Sequence, residues 1–262
     1  MTPLSTLFAA LTPIDDGFGV TITEDWQQGR TTYGGLTAAL CVQAALRADP
    51  GLPPLRSAQF AFVGPAGGAV RMAPKTLRRG KNTVFTAVDL SGEAGLATRA
   101  TLVFGAPRAS TLAYTDLAAP RCTGPSESPA FFGEFTGPTF ARHFDYLRAG
   151  GQAPRSGAVT PEYCLWLRHR DTSLGGNVPA LIAIADAPPP AAMAMFTTTA
   201  PISTVTWSMD LFDVPEEEGS PWRLMTCRAE RIAEGYSTQE MMLWSQSGAP
   251  LMLARQNIAV FV

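Results

Sequence analysis

The chain runs twice through one order of elements: a helix-like stretch, then four runs of alternating apolar and polar residues joined by short turns. Few folds accept that order made twice in one chain. In the first pass Tyr33–Arg47 (YGGLTAALCVQAALR) sets apolar residues at helical spacing behind two glycines. The runs RSAQFAFVG, AVRMAPKTLRRG, NTVFTAVDLSG and LATRATLVFG follow, with hydrophobics alternating as strands require. In the second pass the helical run Val178–Ala187 is followed by ISTVTWSMDLF, WRLMTCRAERIAEG, YSTQEMMLWSQSG and PLMLARQNIAVFV. The last hairpins correspond best, with Ser-Gly turns expected at Ser91-Gly92 and Ser247-Gly248. Identity between the passes is weak, so the repeat rests on the order of its elements.

Between the passes, Gly105 to Glu134 reads GAPRASTLAYTDLAAPRCTGPSESPAFFGE, rich in turn formers and without periodicity, as a surface linker does. The expected division is therefore 1–108, a linker over 109–134, and 135–262. One central helix wrapped by a long antiparallel sheet, built twice, is an α+β architecture, the double hotdog. Ahead of the first pass, Leu4–Leu11 reads as one or two turns of packed helix.

Several function classes drop out. Net charge is −2, which gives no general attraction to nucleic acid or anionic lipid. The start of the chain has no basic region and only a short apolar stretch before a proline, neither a signal peptide nor a membrane span. Cys41, Cys122, Cys164 and Cys227 are far apart in sequence and form no CxxC pair, so a reduced, cytoplasmic setting is expected. The two histidines, His143 and His169, lie beside no second candidate ligand, and no metal is expected. GxSxG, GxGxxG and Walker patterns are all missing. An enzyme made from this chain works with ordinary polar side chains and water, without a cofactor.

One carboxylate stands out. Leu181–Pro190 reads LIAIADAPPP, which sets Asp186 at the end of an apolar helix and just before three prolines. A carboxylate in such surroundings finds a partner, reaches water or keeps its proton. Alone it reads first as an exposed cap, just as Thr204 and Gln256 alone are ordinary strand residues.

The order of these three residues resembles the bacterial acyl-CoA thioesterase II family, whose members are double hotdogs. The helix ending in Asp corresponds to LIAIAD. A strand with a hydroxyl residue and a Ser-Met pair corresponds to STVTWSM, with Thr204 and Ser208-Met209 in those places. A glutamine on the last strand corresponds to Gln256 in LARQNIAVF. RTTYGGLTAAL and KTLRRGKNTVF are similar to the family's aromatic-Gly-Gly helix start and Arg-x-Gly hairpin. The resemblance implies hydrolysis of acyl-CoA thioesters, with Asp186, Thr204 and Gln256 together binding and polarising the attacking water. It departs at one place: Thr206-Trp207 and Asp210-Leu211-Phe212 stand where the family carries Asp-His and aromatic-Phe-His.

Chemically the three suffice. Asp186 can accept a proton from water, the Thr204 hydroxyl can bridge water and carboxylate, and the Gln256 amide can donate to one atom of the site while accepting from another. Direct attack by Asp186 to give an anhydride ranks second. Gly34 and Gly35, at a helix start, are candidates to line an acyl-CoA channel or a vestigial second site. Arg78, Arg79 and Lys81 are candidates to meet CoA phosphates, although a solvated hairpin turn is the simpler account of them. The missing histidines motivate a second reading, a non-catalytic acyl-CoA or lipid-binding protein. A hotdog dehydratase is weaker, for want of a helix histidine. Long hotdog sheet edges are ordinarily paired with another copy, so a homodimer or larger assembly is expected.

Overall fold

The structure, a computed structural model, describes residues 1–132, 137–214, 219 and 221–262. The chain begins with α1 (Leu4–Ala9), β1 (Thr12–Ile14), β2 (Gly17–Ile22) and a small pair, β3 (Gln27–Gln28) and β4 (Thr31–Thr32). There follow α2 (Gly34–Ala48), β5 (Leu55–Phe62), β6 (Gly68–Arg79), β7 (Thr83–Gly92) and β8 (Gly95–Gly105). The second half comprises β9 (Phe144–Gly151), β10 (Glu162–His169), α3 (Val178–Ala185), β11 (Ile202–Leu211), β12 (Arg223–Ala233), β13 (Tyr236–Ser245) and β14 (Pro250–Val260).

All strands except β3 and β4 join one sheet, in the order β1-β2-β6-β7-β8-β5-β11-β14-β13-β12-β10-β9. At its centre β5 and β11 pair antiparallel, with Phe60 opposite Trp207. Outward from that pair the two halves repeat strand for strand, so the double hotdog anticipated above is the fold. Each sheet half curls around a helix, and α2 packs directly on α3. The helices suit this position. α3 is apolar all round and every residue from Pro179 to Ala185 is buried, as a central helix must be. It starts where the Asn177 side chain accepts a hydrogen bond from Ala180 N–H at 2.9 Å. It stops before Pro188, because a proline turns the preceding residue away from helical geometry.

The sequence reading misses the strands that precede each helix. β10 is the instructive case. Tyr163, Leu165 and Leu167 face the core, yet Trp166 on the opposite face is buried too. The linker lies across that outer face: Trp166 Nε1 donates to the Thr123 carbonyl at 2.8 Å and Trp244 Nε1 to the Leu117 carbonyl at 2.8 Å. With both faces covered, the alternation that marks a strand is lost. The linker's expected end at residue 134 lies outside the described residues. One expected turn is displaced: Ser91-Gly92 still belongs to β7, the turn falls on Glu93-Ala94, and Gly95 takes the positive φ of 97°.

Candidate active site

Asp186 sits at the C-terminal cap of α3, and its carboxylate meets the N-terminus of α2. α2 has no side-chain cap of its own. The main-chain N–H of Gly35, one of the donors a helix start leaves unpaired, is instead taken by the Asp186 carboxylate. The close approach depends on glycine. A Cβ on Gly35 would lie 2.6 Å from the Tyr33 ring and 2.8 Å from the Ala183 carbonyl oxygen. That carbonyl accepts the Tyr33 hydroxyl at 2.6 Å, which ties the start of α2 to the last turn of α3. A Cβ on Gly34 would lie 3.0 Å from Asp186 Oδ2 and 3.3 Å from the Phe62 ring.

From the sheet side, Gln256 on β14 donates Nε2–H to Asp186 Oδ1 at 2.5 Å. Gln256 is buried, and its cross-strand neighbour on β13 is Gln239, which is buried as well. Gln239 donates Nε2–H to Gln256 Oε1 at 2.8 Å, and its own Oε1 accepts the Ala191 N–H at 2.8 Å. Gln239 is the residue the sequence reading missed. The cue was available: on β13 it follows Ser237 by two, in a strand whose inward positions otherwise carry apolar residues such as Met241 and Leu243.

Burial pushes the Asp186 carboxyl up to about 7, against the lowering effect of the Gln256 and Gly35 hydrogen bonds. Its ionisable neighbours are neutral there: burial and the Asp186 charge hold the Tyr33 and Tyr146 hydroxyls and the Cys227 thiol above their ordinary values. A carboxyl poised near neutrality in a pocket of neutral groups is suited to taking and returning a proton. No cluster of metal-ligating side chains occurs among the described residues.

The other expected residues fare differently. Thr204 pairs with Ile258, two residues beyond Gln256 on β14, and so shares the face of the sheet that carries Gln256. Among the described residues no hydrogen bond joins its hydroxyl to Asp186 or Gln256, and a bulge between Thr204 and Thr206 separates its row from the Gln256 row. The Gln256 amide bonds protein at both ends, Nε2 to Asp186 and Oε1 to Gln239, and so holds the carboxylate in place. Arg78, Arg79 and Lys81 lie on the exposed end of the β6–β7 hairpin, and Arg79 is paired with Asp49. Asp49 caps the C-terminus of α2, whereas Asp186 meets its N-terminus; the 15 residues of the helix separate them by about 22 Å at 1.5 Å each. The basic triplet is therefore not brought to the carboxylate.

The site is built once. About the central Phe60–Trp207 pair, Ala100 corresponds to Gln256 and Val88 to Gln239. Both are apolar and fully buried, so the first half cannot hold a carboxylate in this way. Beside the site, the Tyr146 hydroxyl donates to the Ala187 carbonyl at 3.3 Å, and Tyr146 also lines an open cleft of about 610 Å³. On its rim Arg168 and Arg170 share one carboxylate, Asp145, and Arg168 lies 4.4 Å from the Trp222 ring centre.

A sheet wrapped twice, each half around its own helix, and carrying an Asp–Gln pair where the two helices meet defines a double-hotdog protein. Residues 22–105 match the family model for the acyl-CoA thioesterase N-terminal domain, and residues 119–260 the model for the C-terminal domain. The chain belongs to the acyl-CoA thioesterase family. Among solved structures it is similar to a conserved protein of unknown function with hot dog fold from Alicyclobacillus acidocaldarius, with TM-score 0.89, 22% identity, and coverage of 99% of this chain and 98% of that one. It is similar to the acyl-CoA thioesterase II TesB2 from Mycobacterium marinum, with TM-score 0.75, 16% identity, and coverage of 97% and 96%. The dehydratase domain of RzxB from Pseudomonas fluorescens shares the fold more distantly, with TM-score 0.53, 12% identity, and coverage of 99% of each chain. At these identities the likeness is one of fold, which is common to more than one reaction. No curated protein matches the chain. No helix among the described residues is long and apolar enough to cross a membrane.

Proposed function

We propose that the protein hydrolyses acyl-CoA thioesters to a carboxylic acid and CoA, with Asp186 as general base. The observation that carries this reading is the half-buried Asp186 carboxyl, poised near pH 7 and held by Gln256 and Gly35, in a chain of the acyl-CoA thioesterase family. Water held at the free side of the carboxylate attacks the thioester carbonyl, and its proton passes to Asp186. The tetrahedral oxyanion collapses, the C–S bond breaks, and the proton returns from Asp186 to the departing thiolate. Gln256 fixes the carboxylate, Thr204 lends its hydroxyl to the water from the same sheet face, and Gly34 leaves room for the acyl carbonyl at the positive end of α2. The CoA end is assigned to the cleft beside Tyr146, where two guanidiniums sharing one carboxylate leave a net positive charge. The sheet's outer strands, β1 and β9, leave edges for pairing with a second copy.

Thiol release from acyl-CoAs ranging from acetyl to palmitoyl tests the reading, with the wild type run beside Asp186→Asn. Turnover that the substitution abolishes supports it. A wild type inert across the panel, yet raised in melting temperature by acyl-CoA, is a binding protein instead. Formation of enoyl or hydroxyacyl thioester without free thiol would point to a dehydratase.

A further inference from the structure

Asp186 and Ala191 are five residues apart in sequence and stand at the two ends of one hydrogen-bonded chain. Ala191 N–H donates to Gln239 Oε1 (2.8 Å), Gln239 Nε2–H donates to Gln256 Oε1 (2.8 Å), and Gln256 Nε2–H donates to Asp186 Oδ1 (2.5 Å). The main chain from Asp186 back to Ala191 closes the ring through Ala187, Pro188, Pro189 and Pro190.

An amide side chain can turn end for end, presenting oxygen or nitrogen to the same neighbour. A main-chain N–H cannot; it only donates. Ala191 therefore fixes Gln239 with its oxygen toward the helical turn Ala191–Ala194 and its nitrogen toward Gln256. Gln239 in turn fixes Gln256 with its nitrogen toward Asp186. The three prolines contribute twice. They have no N–H, so Ala191 offers the first main-chain donor after Ala187, and they hold the strap extended, with Pro190 at φ −52° and ψ 138°. Both glutamines are buried, which spares these bonds from competition with water.

We propose that Gln239 is a positioning residue, which with the Ala191 N–H sets the direction of the Gln256 amide so that it always offers a proton to Asp186 and keeps the base ionised at working pH. The proposal rests on the thioesterase reading for its kinetic consequences, though not for its structural ones. Without the lock, Gln256 can present its oxygen to Asp186, which favours the protonated carboxyl and raises the pH at which the base becomes available.

The test is Gln239→Met, which keeps length and removes both donor and acceptor, compared with Gln256→Met and the double substitution. Ala191→Pro is the second variant: Pro190 already has the extended geometry a following proline needs, and the first position of a helical turn accepts proline. The groups facing Asp186, namely Tyr33, Tyr146 and Cys227, are neutral over the range tested, so the acid limb reports on the carboxyl. Gln239→Met and Ala191→Pro are each expected to raise the acid limb of kcat/KM by about half to one pH unit and to lower kcat several-fold, with KM little changed. In the Gln256→Met background, Gln239→Met should add no further shift, since it acts through Gln256. Carbon-13 NMR titration of the Asp186 carboxyl, assigned by its loss in Asp186→Asn, reads the same shift without turnover. An inert wild type whose carboxyl still moves in Gln239→Met refutes the thioesterase reading and leaves the relay standing. A folded Gln239→Met or Ala191→Pro whose carboxyl titrates as in the wild type overturns the relay, as does an equal shift from Gln239→Met with Gln256 already removed.

Discussion

Gly35, in the first half of the chain, donates its main-chain N–H to the carboxylate of Asp186, in the second. The site thus belongs to neither half alone. One hotdog supplies the base and the amides that hold it; the other supplies the helix start against which the base rests. The same contact couples chemistry to stability, because a carboxylate there serves α2 as a cap while its burial disfavours the charge it needs.

Asp186→Asn separates those two effects. The asparagine keeps an oxygen for Gln256 and Gly35 but accepts no proton, so kcat is expected to fall by about 10²–10³-fold. Stability should move the other way. The folded-state value of about 7 lies above the ordinary 3.8, so the folded protein binds the proton more tightly. That favourable contribution is full below about pH 4 and is lost as pH rises through 7, a difference of about 4 kcal/mol. Replacement by Asn should therefore raise the melting temperature at pH 8 and have little effect at pH 4. Thermal unfolding across that range checks it; an unchanged melting temperature at pH 8 would contradict a buried, charge-disfavouring site.

Glycine at 34 and 35 has distinguishable roles. Gly35→Ala forces a methyl to 2.6 Å from the Tyr33 ring and 2.8 Å from a main-chain oxygen of α3, so the helices must part. A loss of about 2–3 kcal/mol in denaturant unfolding is expected. Gly34→Ala meets Asp186 Oδ2 at 3.0 Å and the Phe62 ring at 3.3 Å, contacts that small side-chain shifts relieve. Its cost in stability should be the smaller, about 1 kcal/mol, while kcat falls because the carboxylate and the space before it are disturbed. Equal effects of the two on stability would remove the distinction.

The fold was legible because patterns of period 2 and 3.6 repeated in one order, and each run from RSAQFAFVG to PLMLARQNIAVFV became a strand of the sheet. β10 escaped because the linker covers its outer face, and a strand buried on both sides does not alternate. Of the site, Asp186 and Gln256 were found through their order along the chain and do meet. Gln239 was missed by that approach, since order along the chain does not say that two glutamines 17 residues apart will pair across a hairpin; only its inward place on β13 marked it. The basic triplet was legible only as local charge; the fold sets it at the far end of α2 from the carboxylate, with Arg79 paired to Asp49.

The cleft beside Tyr146 makes a kinetic prediction of its own. Arg170→Ala leaves Arg168 paired with Asp145 and removes one positive charge from the rim. KM for acyl-CoA should rise by about 3–10-fold with kcat within about twofold, because a contact made equally in ground and transition states changes binding alone. The loss should be larger at low salt, where charges attract over longer distances. Steady-state kinetics at two ionic strengths check this, and an unchanged KM at both would move the CoA end elsewhere.

Below neutrality a second buried group works against Asp186. His169 donates its Nε2 proton to the Ala180 carbonyl at 2.8 Å, on the first turns of α3, and burial lowers its ionisation to about 4. A histidine held down in the folded state stabilises above its ordinary value of 6.5, and that contribution is lost as pH falls toward 4, by about 3 kcal/mol. His143, stacked on Trp26, is lowered too and adds in the same direction. In the wild type the rising slope from the histidines and the falling slope from Asp186 oppose each other between pH 4 and 6.5, so stability should vary little. In Asp186→Asn only the histidine slope remains, and stability should climb steadily with pH over that interval. Adding His169→Gln, which keeps a donor for the Ala180 carbonyl, should flatten the climb. Urea midpoints of the three proteins at half-unit steps of pH decide it. A steep rise in the wild type, or a flat profile in Asp186→Asn, would show that the two buried groups do not carry these opposing linkages.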